Sequence, residues 1–596
     1  MRTSHPPLAA LVLLALPTAA GERGTGATPF RLETSPQGTL VALQLAVRAE
    51  LEEAHALGRP IVVPAFPRPG LAPVELRLRP VETRAAAARI VGVDGREARL
   101  EPAVCCFSGS IPGGQAFLGL TADGFQGFLS DAQGTWTLGP GPDPTRASLV
   151  RLEAGALDLT CAAREGDSTA SGPRSPNAPG GGLERVVAGP VLSTANVFIE
   201  VDQPLWARFA TDQECVDYCA ILVTAASEIY RRDLGVVLNV PDGFLRVWKQ
   251  TPPWGAITAL NQLDDFYGWW MSAANPDQHL ERAAVHLFTS PVFGGTARGS
   301  GGVCDDRRAY EISSLNGRFV HPTQHSAREN WDLFVVAHEF GHTFGSPHTS
   351  SYKPPIECQD GSGPDSGTLM SYCHQQFGVA GIGMRFHARV QERMRAVLEQ
   401  RPCLARRVLE RGDYDGNGRL DTADLAAADA VLQQGFRSAG AEEVLDLDAD
   451  GDFDRSDRDQ LASLVAPAAS TVRLRNGTGL NPLCYQPLSA PFLGGEWSAA
   501  VEAADVGRMT WVVACLQPLW GRITPRGELL VRTPAEGGVL LLDSAALSDG
   551  SRALHHVRLP ADPILAGRRV ATQALVLDGS DGAHFCNALD LTLAVP

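Results

Sequence analysis

The 596-residue chain carries 51 basic and 67 acidic residues, a formal charge of −16, with 20% charged and 44% hydrophobic positions. That balance fits folded domains rather than a disordered chain, and at about 150 residues per domain it allows roughly four. It excludes a basic nucleic-acid surface and a polybasic membrane patch, since both need clustered cations.

At the N-terminus, Arg2 and His5 precede an apolar run, Leu8 to Leu16, and Thr18-Ala19-Ala20 follow it. Residues 1–20 read as a secretory signal peptide, too short to span a bilayer. No other stretch has eighteen uninterrupted apolar residues. The expectation is an extracellular protein, exported by a bacterial-type route, with no integral membrane span. Its twelve cysteines are then open to disulfide pairing.

Residues 28–163 read as a β-rich domain. Gln115 to Leu138 gives three short apolar strands, punctuated by turn signals at Asp123-Gly124 and Asp131 to Gly134. Residues 164–185 are rich in Ser, Pro, Gly and Asn and read as a linker. A second compact region spans 186–404. It opens with a strand, Ala195 to Val201, followed by a helix near Asp212 to Arg231 and a β-like run from Leu234 to Trp248.

This second region holds His338-Glu339-Phe340-Gly341-His342-Thr343-Phe344-Gly345-Ser346-Pro347-His348. A helix is expected over Glu329 to Thr343. His338 and His342, at i and i+4, then project from one face and reach one zinc. Gly345 lets the chain leave the helix by a sharp turn and bring His348 round as third ligand. Three neutral histidines leave one zinc open to water, and Glu339 sits beside the first ligand as candidate general base. His374 and His387 lie outside the motif and read as satisfied or exposed histidines.

Thr368-Leu369-Met370-Ser371-Tyr372 follows the third histidine. With that second element the chain resembles the metzincin metalloproteases, whose HExxHxxGxxH motif and Met-turn carry the resemblance. The resemblance implies an α/β metzincin catalytic domain, hydrolysis of a protein or peptide substrate, and Met370 as an apolar floor beneath the zinc. Two readings of Tyr372 stay open: a contact to zinc or the transition state, or a packed core tyrosine.

Within the metzincins, region 186–404 is most similar to the reprolysin (adamalysin) group. The similarity rests on the strands Val197 to Val201 and Ala283 to Thr289. It also rests on Gly301-Gly302-Val303-Cys304 as an edge strand lining a peptide cleft, and on a closing helix, Phe386 to Gln400. Reprolysins tie that edge to the C-terminal end, which implies Cys304–Cys403. Cys358–Cys373 would then clamp the loop between His348 and the Met-turn. Cys215 and Cys219 remain as a pair, at an i,i+4 spacing that suits a disulfide poorly.

Phe107-Ser108-Gly109-Ser110 through Gly139 resembles a reprolysin-type propeptide, which implies latency. Many such propeptides silence zinc with a thiolate. Cys105, Cys106 and Cys161 are the candidates here, and a disulfide between two of the three is the competing reading.

Residues 405–465 hold fifteen acidic and seven basic residues, a net charge of −8, or half that of the chain. Asp413, Asp415, Asn417, Asp421 and Asp424 occupy calcium-loop positions 1, 3, 5, 9 and 12, with the Arg419 carbonyl at position 7. The pattern recurs 33 residues on as Asp446, Asp448, Asp450, Asp454 and Asp457, with the Asp452 carbonyl. The paired loops resemble dockerin type I repeats, which implies a small α EF-hand-pair module, two structural calcium ions, and either a cohesin-type partner or a calcium-stiffened spacer. Residues 471–596 read as an all-β sandwich accessory domain with Cys484, Cys515 and Cys586, of which two can pair.

Two functions follow. The first is a secreted zinc endopeptidase made as a latent precursor. The second is a catalytically silent, calcium-dependent adhesion or assembly protein on a metzincin scaffold. The complete set of His338, Glu339, His342, His348 and Met370 favours the enzyme.

Overall fold

The computed structural model describes residues 30–152, 161 and 190–594, except 36–37, 256, 258–261, 291–293, 320–330, 360–366, 378–381, 419, 435–437, 449, 466–469, 503–506, 516–517, 533–540, 547–551, 561–567 and 579–582. The expected signal peptide and the 164–185 linker lie outside the described residues. One compact unit spans Ala27–Val465, and the C-terminal Ala466–Pro596 belong to another. The regions 28–163, 186–404 and 405–465 delimited in the sequence thus share one unit.

In chain order the first region comprises β1 (Phe30–Ser35), β2 (Gly38–Leu43), α1 (Leu45–Ala56), β3 (Ile61–Arg68), β4 (Leu71–Val81), β5 (Ala88–Val91), β6 (Glu97–Leu100), β7 (Cys105–Ile111), β8 (Gly114–Thr121), β9 (Gly124–Asp131), β10 (Gly134–Pro140) and β11 (Arg146–Arg151). Nine of these strands form an antiparallel sheet in the order β1-β2-β11-β10-β9-β8-β7-β4-β3. One face covers its own core of Phe30, Phe66, Phe125 and Trp136. The other face contributes Phe117 and Phe128 to the core of the following region.

That region holds β12 (Val191–Val201), α2 (Gln203–Trp206), α3 (Asp212–Leu234), β13 (Val236–Asn239), β14 (Leu245–Trp248), α4 (Leu263–Trp270), β15 (Ala284–Thr289), β16 (Gly295–Ala297), β17 (Tyr310–Ser314), α5 (Asp332–Thr343), α6 (His374–Phe377), α7 (Ala388–Leu398) and β18 (Ala405–Val408). The sheet runs β16-β17-β15-β12-β14-β5-β6, so the β5–β6 hairpin of the first region extends it. β5 pairs parallel to β14, Leu245 opposite Ala88 and Trp248 opposite Val91. Strands buried on both faces read as near-continuous apolar runs, and Val197–Val201 is one, interrupted only by the buried Glu200, which pairs with Arg246.

Helix α3 starts at a capping box, Thr211 with Glu214, and ends at Gly235 in the left-handed region (φ +70°). Its residues from Cys215 to Leu234 are buried. A helix buried all round must be covered on every side, and the first region's sheet covers the side its own sheet leaves open. Tyr230, buried on it, is paired: its OH donates to Ala337 O at 2.8 Å, on α5.

The third region comprises α8 (Thr422–Gln434), α9 (Ala439–Leu445) and α10 (Arg455–Leu464). The C-terminal unit holds β19 (Thr471–Arg475), β20 (Tyr485–Pro487), β21 (Glu496–Glu502), β22 (Gly507–Cys515), β23 (Pro518–Thr524), β24 (Gly527–Val531), β25 (Leu541–Ala546), β26 (Arg552–Arg558), β27 (Arg569–Asp578) and β28 (Ala583–Thr592). These form sheets β19-β28-β27-β22-β25, β20-β21-β26 and β23-β24. The first two share a core around Tyr485 and Trp497.

Three disulfides are formed: Cys304–Cys403, Cys358–Cys373 and Cys484–Cys586. Two sequence expectations fail. Cys215 and Cys219 stay thiols, buried one turn apart on α3, where helical geometry keeps the sulfurs from bridging. Cys105, Cys106 and Cys161 also form no disulfide with one another. No helix among the described residues is long and apolar enough to cross a membrane.

Candidate metal centres

Helix α5 carries His338 and His342 on one face, and both are buried. Gly345, at φ +124°, turns the chain out of the helix, and a Cβ there would meet Val397 Cγ2 at 2.9 Å. Arg393 Nε donates to the Gly345 carbonyl at 3.0 Å and holds the turn. His348 follows in extended backbone and reaches the other two rings. Its Nε2 lies 3.3 Å from that of His338 and 3.1 Å from that of His342.

These separations fit one metal ion, because two nitrogens at 2.0–2.1 Å in a tetrahedral shell stand about 3.3 Å apart. The opposite ring nitrogens settle the tautomers. His338 Nδ1 donates to Leu369 O at 2.5 Å, and His342 Nδ1 to Ser346 O at 2.8 Å. A carbonyl only accepts, so each Nε2 keeps its lone pair for a metal. Burial also holds His338 well below the usual histidine pKa and His348 down to about 4, favouring the neutral ligand form.

Met370 is fully buried under α5, and a Cβ on Gly341 would fall 2.3 Å from its sulfur. The glycine between the two histidines thus lets the methionine close the floor. Tyr372 is at the site rather than in the core. Its ring centroid is 4.2 Å from that of His348, and its hydroxyl donates to the Cys161 carbonyl at 3.0 Å.

Cys161 Sγ stands 3.3 Å from His342 Nε2 and 3.5 Å from Glu339 Oε2. Its sulfur and the three histidine nitrogens all lie within 4.8 Å of one another. The Cys161 backbone forms a parallel bridge with Gly295, in the edge strand β16. The edge strand of this sheet is therefore β16 and not Gly301 to Cys304. Gly301 and Cys304 have φ of +73° and +66°, which makes that stretch a turn. The turn has its own work: Gly301 N and Val303 N donate to the His342 and Thr343 carbonyls at the end of α5.

Glu339 is buried, and burial pushes its carboxyl up to about 8. Gly295 gives it room: a Cβ there would sit 2.4 Å from Oε1 and 2.5 Å from Cγ. Behind the helix, Thr343 donates to Glu311, whose other oxygen is 3.4 Å from His286 Nδ1. Gly295, Glu311 and His286 carry no motif. They are found only through the strands β15, β16 and β17 that place them. His374 is buried near Tyr372, and His387 caps α7 by accepting from Arg389 N at 3.1 Å.

The acidic loops also converge. Asp413, Asp415 and Asp424 bring carboxylate oxygens within 4.8 Å of one another, as do Asp446, Asp448 and Asp457. Asp424 accepts from Asp415 N and Asp421 N, and Asp413 Oδ2 from Gly418 N, each at 3.0 Å. Asn417 Nδ2 donates to Asp415 at 3.0 Å and to Asp421 at 3.4 Å. In the second loop Asp457 accepts from Leu447 N, Asp448 N and Asp454 N. Asp450 and Asp452 are exposed, and Asp450 accepts from Asp452 N at 3.1 Å. Asp413 Oδ1 and Asp446 Oδ1 are buried and have no hydrogen-bond partner among the described residues. Arg419 lies outside the described residues.

Residues 191–380 match the family model Reprolysin_5, Metallo-peptidase family M12. This match, over about a third of the chain, supports a metallopeptidase domain here, and that family implies a catalytic zinc and a peptide substrate. No curated protein matches the chain. Among solved structures, "Structure of a chaperone-substrate complex" is 9% identical, covering 46% of this chain and 35% of that one, at a TM-score of 0.20. Wild-type OgpA from Akkermansia muciniphila is 10% identical over 68% of this chain and 96% of that one, at 0.19. Catalytically inactive OgpA from the same organism, with an O-glycopeptide (glycodrosocin), is 9% identical over 68% and 95%, at 0.19. The chain thus spans about a third of the first of these, and scores this low relate no folds.

Proposed function

We propose that the protein is an exported zinc endopeptidase made as a latent precursor, with catalysis in residues 186–404 and latency from residues 28–163. The observation that carries this reading is the convergence of three histidine nitrogens beside Glu339 and the edge strand β16. His338, His342 and His348 hold the zinc, which when bound supplies a Lewis acid to acidify water and polarise a peptide carbonyl. Glu339 takes the proton from the attacking water and returns it to the leaving amine. The β16 backbone pairs with an extended substrate, and Tyr372 OH donates to it from the far side.

Latency follows from what lies in that cleft. The Cys161 backbone lies on β16 and its thiol joins the histidine nitrogens, completing a four-donor S/N set. Four protein donors make a closed zinc site and three an open one. The 413–424 and 446–457 loops take calcium, because clustered carboxylates with buried unpartnered oxygens suit a hard cation.

The test is cleavage of casein by processed protein, cut in the linker and separated from its N-terminal fragment, with and without a zinc chelator, alongside metal analysis. Chelator-sensitive cleavage at about one zinc per chain is expected. A zinc-free, inactive processed protein would instead identify the chain as a silent scaffold.

A further inference from the structure

The acidic module is not a free appendage. Helix α8 packs on β4 and β7 of the N-terminal sheet, where Ser110 Oγ donates to Gln433 Oε1 at 3.1 Å. Helix α9 packs on the end of α3 in the catalytic region. The approach is so close that a Cβ on Gly440 would fall 2.2 Å from Gly235 N and 2.6 Å from Arg231 O. Arg395 of α7 pairs with Glu443 of α9. The faces of α8 and α9 are therefore covered from inside the chain.

The first loop stands at the junction of all three regions. Tyr414, between the loop residues Asp413 and Asp415, is 5% exposed. Its ring receives the Arg231 guanidinium of α3 at 4.4 Å and the Arg79 guanidinium of β4 at 5.2 Å. Arg79 also pairs with Glu228 of α3, and Arg231 lies 3.9 Å from the same carboxylate. Two buried guanidinium groups thus share one carboxylate, and the tyrosine face takes up the imbalance. Arg407, on β18 of the catalytic sheet, donates to the Gly416 carbonyl.

Resting on the reading of 413–424 as a calcium site, we infer that calcium there sets a clasp that holds the N-terminal sheet on the catalytic region. The interaction surface of this module is then the chain's own β4–β7 face. The coupling is mechanical. Tyr414 has a ligand on either side, so a cation drawing Asp413, Asp415 and Asp424 together fixes the ring between the arginines. Without a cation, those three carboxylates repel one another, and the buried Asp413 Oδ1 has no hydrogen-bond partner among the described residues to hold it. The loop then opens and the ring leaves its seat.

The clasp matters because cutting the 164–185 linker cannot by itself free Cys161, which lies on the N-terminal side of the cut. The β5–β6 hairpin stays paired to β14, with Arg89 bonded to Asp277 and to Gly243 O. Calcium adds a second attachment.

The test uses full-length Glu339→Gln protein with a site-specific protease sequence placed between Arg174 and Arg185. After cleavage, gel filtration measures how tightly the N-terminal fragment stays bound, in calcium chloride and in calcium-free buffer. Calorimetry measures calcium binding separately. The parent is expected to lose about tenfold in fragment affinity without calcium. Tyr414→Ala is expected to lose as much while still binding calcium, and Tyr414→Phe to keep the parent's affinity. Retention that ignores calcium in the parent, despite calorimetric binding, overturns the clasp and leaves the calcium sites standing. Absence of calorimetric binding removes the calcium reading and the clasp together.

Discussion

The Cys161 thiol stands 3.3 Å from the Nε2 of His342, across 181 residues of chain. It meets the same group of nitrogens that converge on one metal. A thiolate is a strong zinc ligand, and in the proposed latent form this one would fill the position that water needs. Cys161→Ala in the uncut chain is expected to raise peptide cleavage by about tenfold or more over the uncut parent. Fluorogenic-peptide assay of both intact proteins checks this. Equal rates would remove the thiol from latency.

Glu339→Gln keeps the size of the side chain but removes the proposed base. Cleavage by the processed protein should fall by about 10²–10⁴ while zinc content stays at the parent's value. Metal analysis on the assayed sample separates a lost base from a lost metal. Activity near the parent's would refute the mechanism.

Gly295 tests the edge strand. An added methyl would sit 2.4 Å from Glu339 Oε1 and 2.5 Å from its Cγ. Glu339 is buried and has little room to swing away. Gly295→Ala should therefore lower kcat by about tenfold or more with the zinc content unchanged. A normal kcat would mean that Glu339 relaxes without cost.

Asp202 gives the pH dependence. It is fully buried at the end of β12, accepts from Leu205 N and Thr289 Oγ1, and is pushed by burial up to about 7. Its folded pKa is raised above the unfolded value, so the folded state binds the extra proton between about pH 4 and pH 7. The stability linked to this proton is fully present below about pH 4 and is lost as pH rises through about 7. Asp202→Asn should flatten the fall in Tm over that window by up to one proton's worth, followed by thermal melts at each pH. An unchanged slope would mean the carboxyl is ionised in the fold.

The grouping of the three candidate zinc histidines, and the turn that presents the third, were legible in the sequence. Those features are local: i,i+4 spacing puts two rings on one helix face, and Gly345 permits the backbone that brings His348 round. The sequence also carried the acidic loops, whose candidate ligands lie within twelve positions of one another. The disulfides Cys304–Cys403 and Cys358–Cys373 were readable only through resemblance, since spacing alone allows many pairings.

Tertiary structure alone decided the partners of these local features. It chose Cys161 over Cys105 and Cys106, because only residue 161 is carried onto β16 beside the histidines. It made β16 the edge strand beside the histidines, whereas the sequence suggests Gly301 to Cys304 for that role. It put β5 and β6 into the catalytic sheet and seated Tyr414 between Arg79 and Arg231. Neither arrangement leaves a local trace, because strand partners and buried cation contacts depend on which surfaces meet, not on neighbours in the chain. The −16 charge was similarly only a sum until the fold gathered Asp413, Asp415 and Asp424 at the junction of three regions.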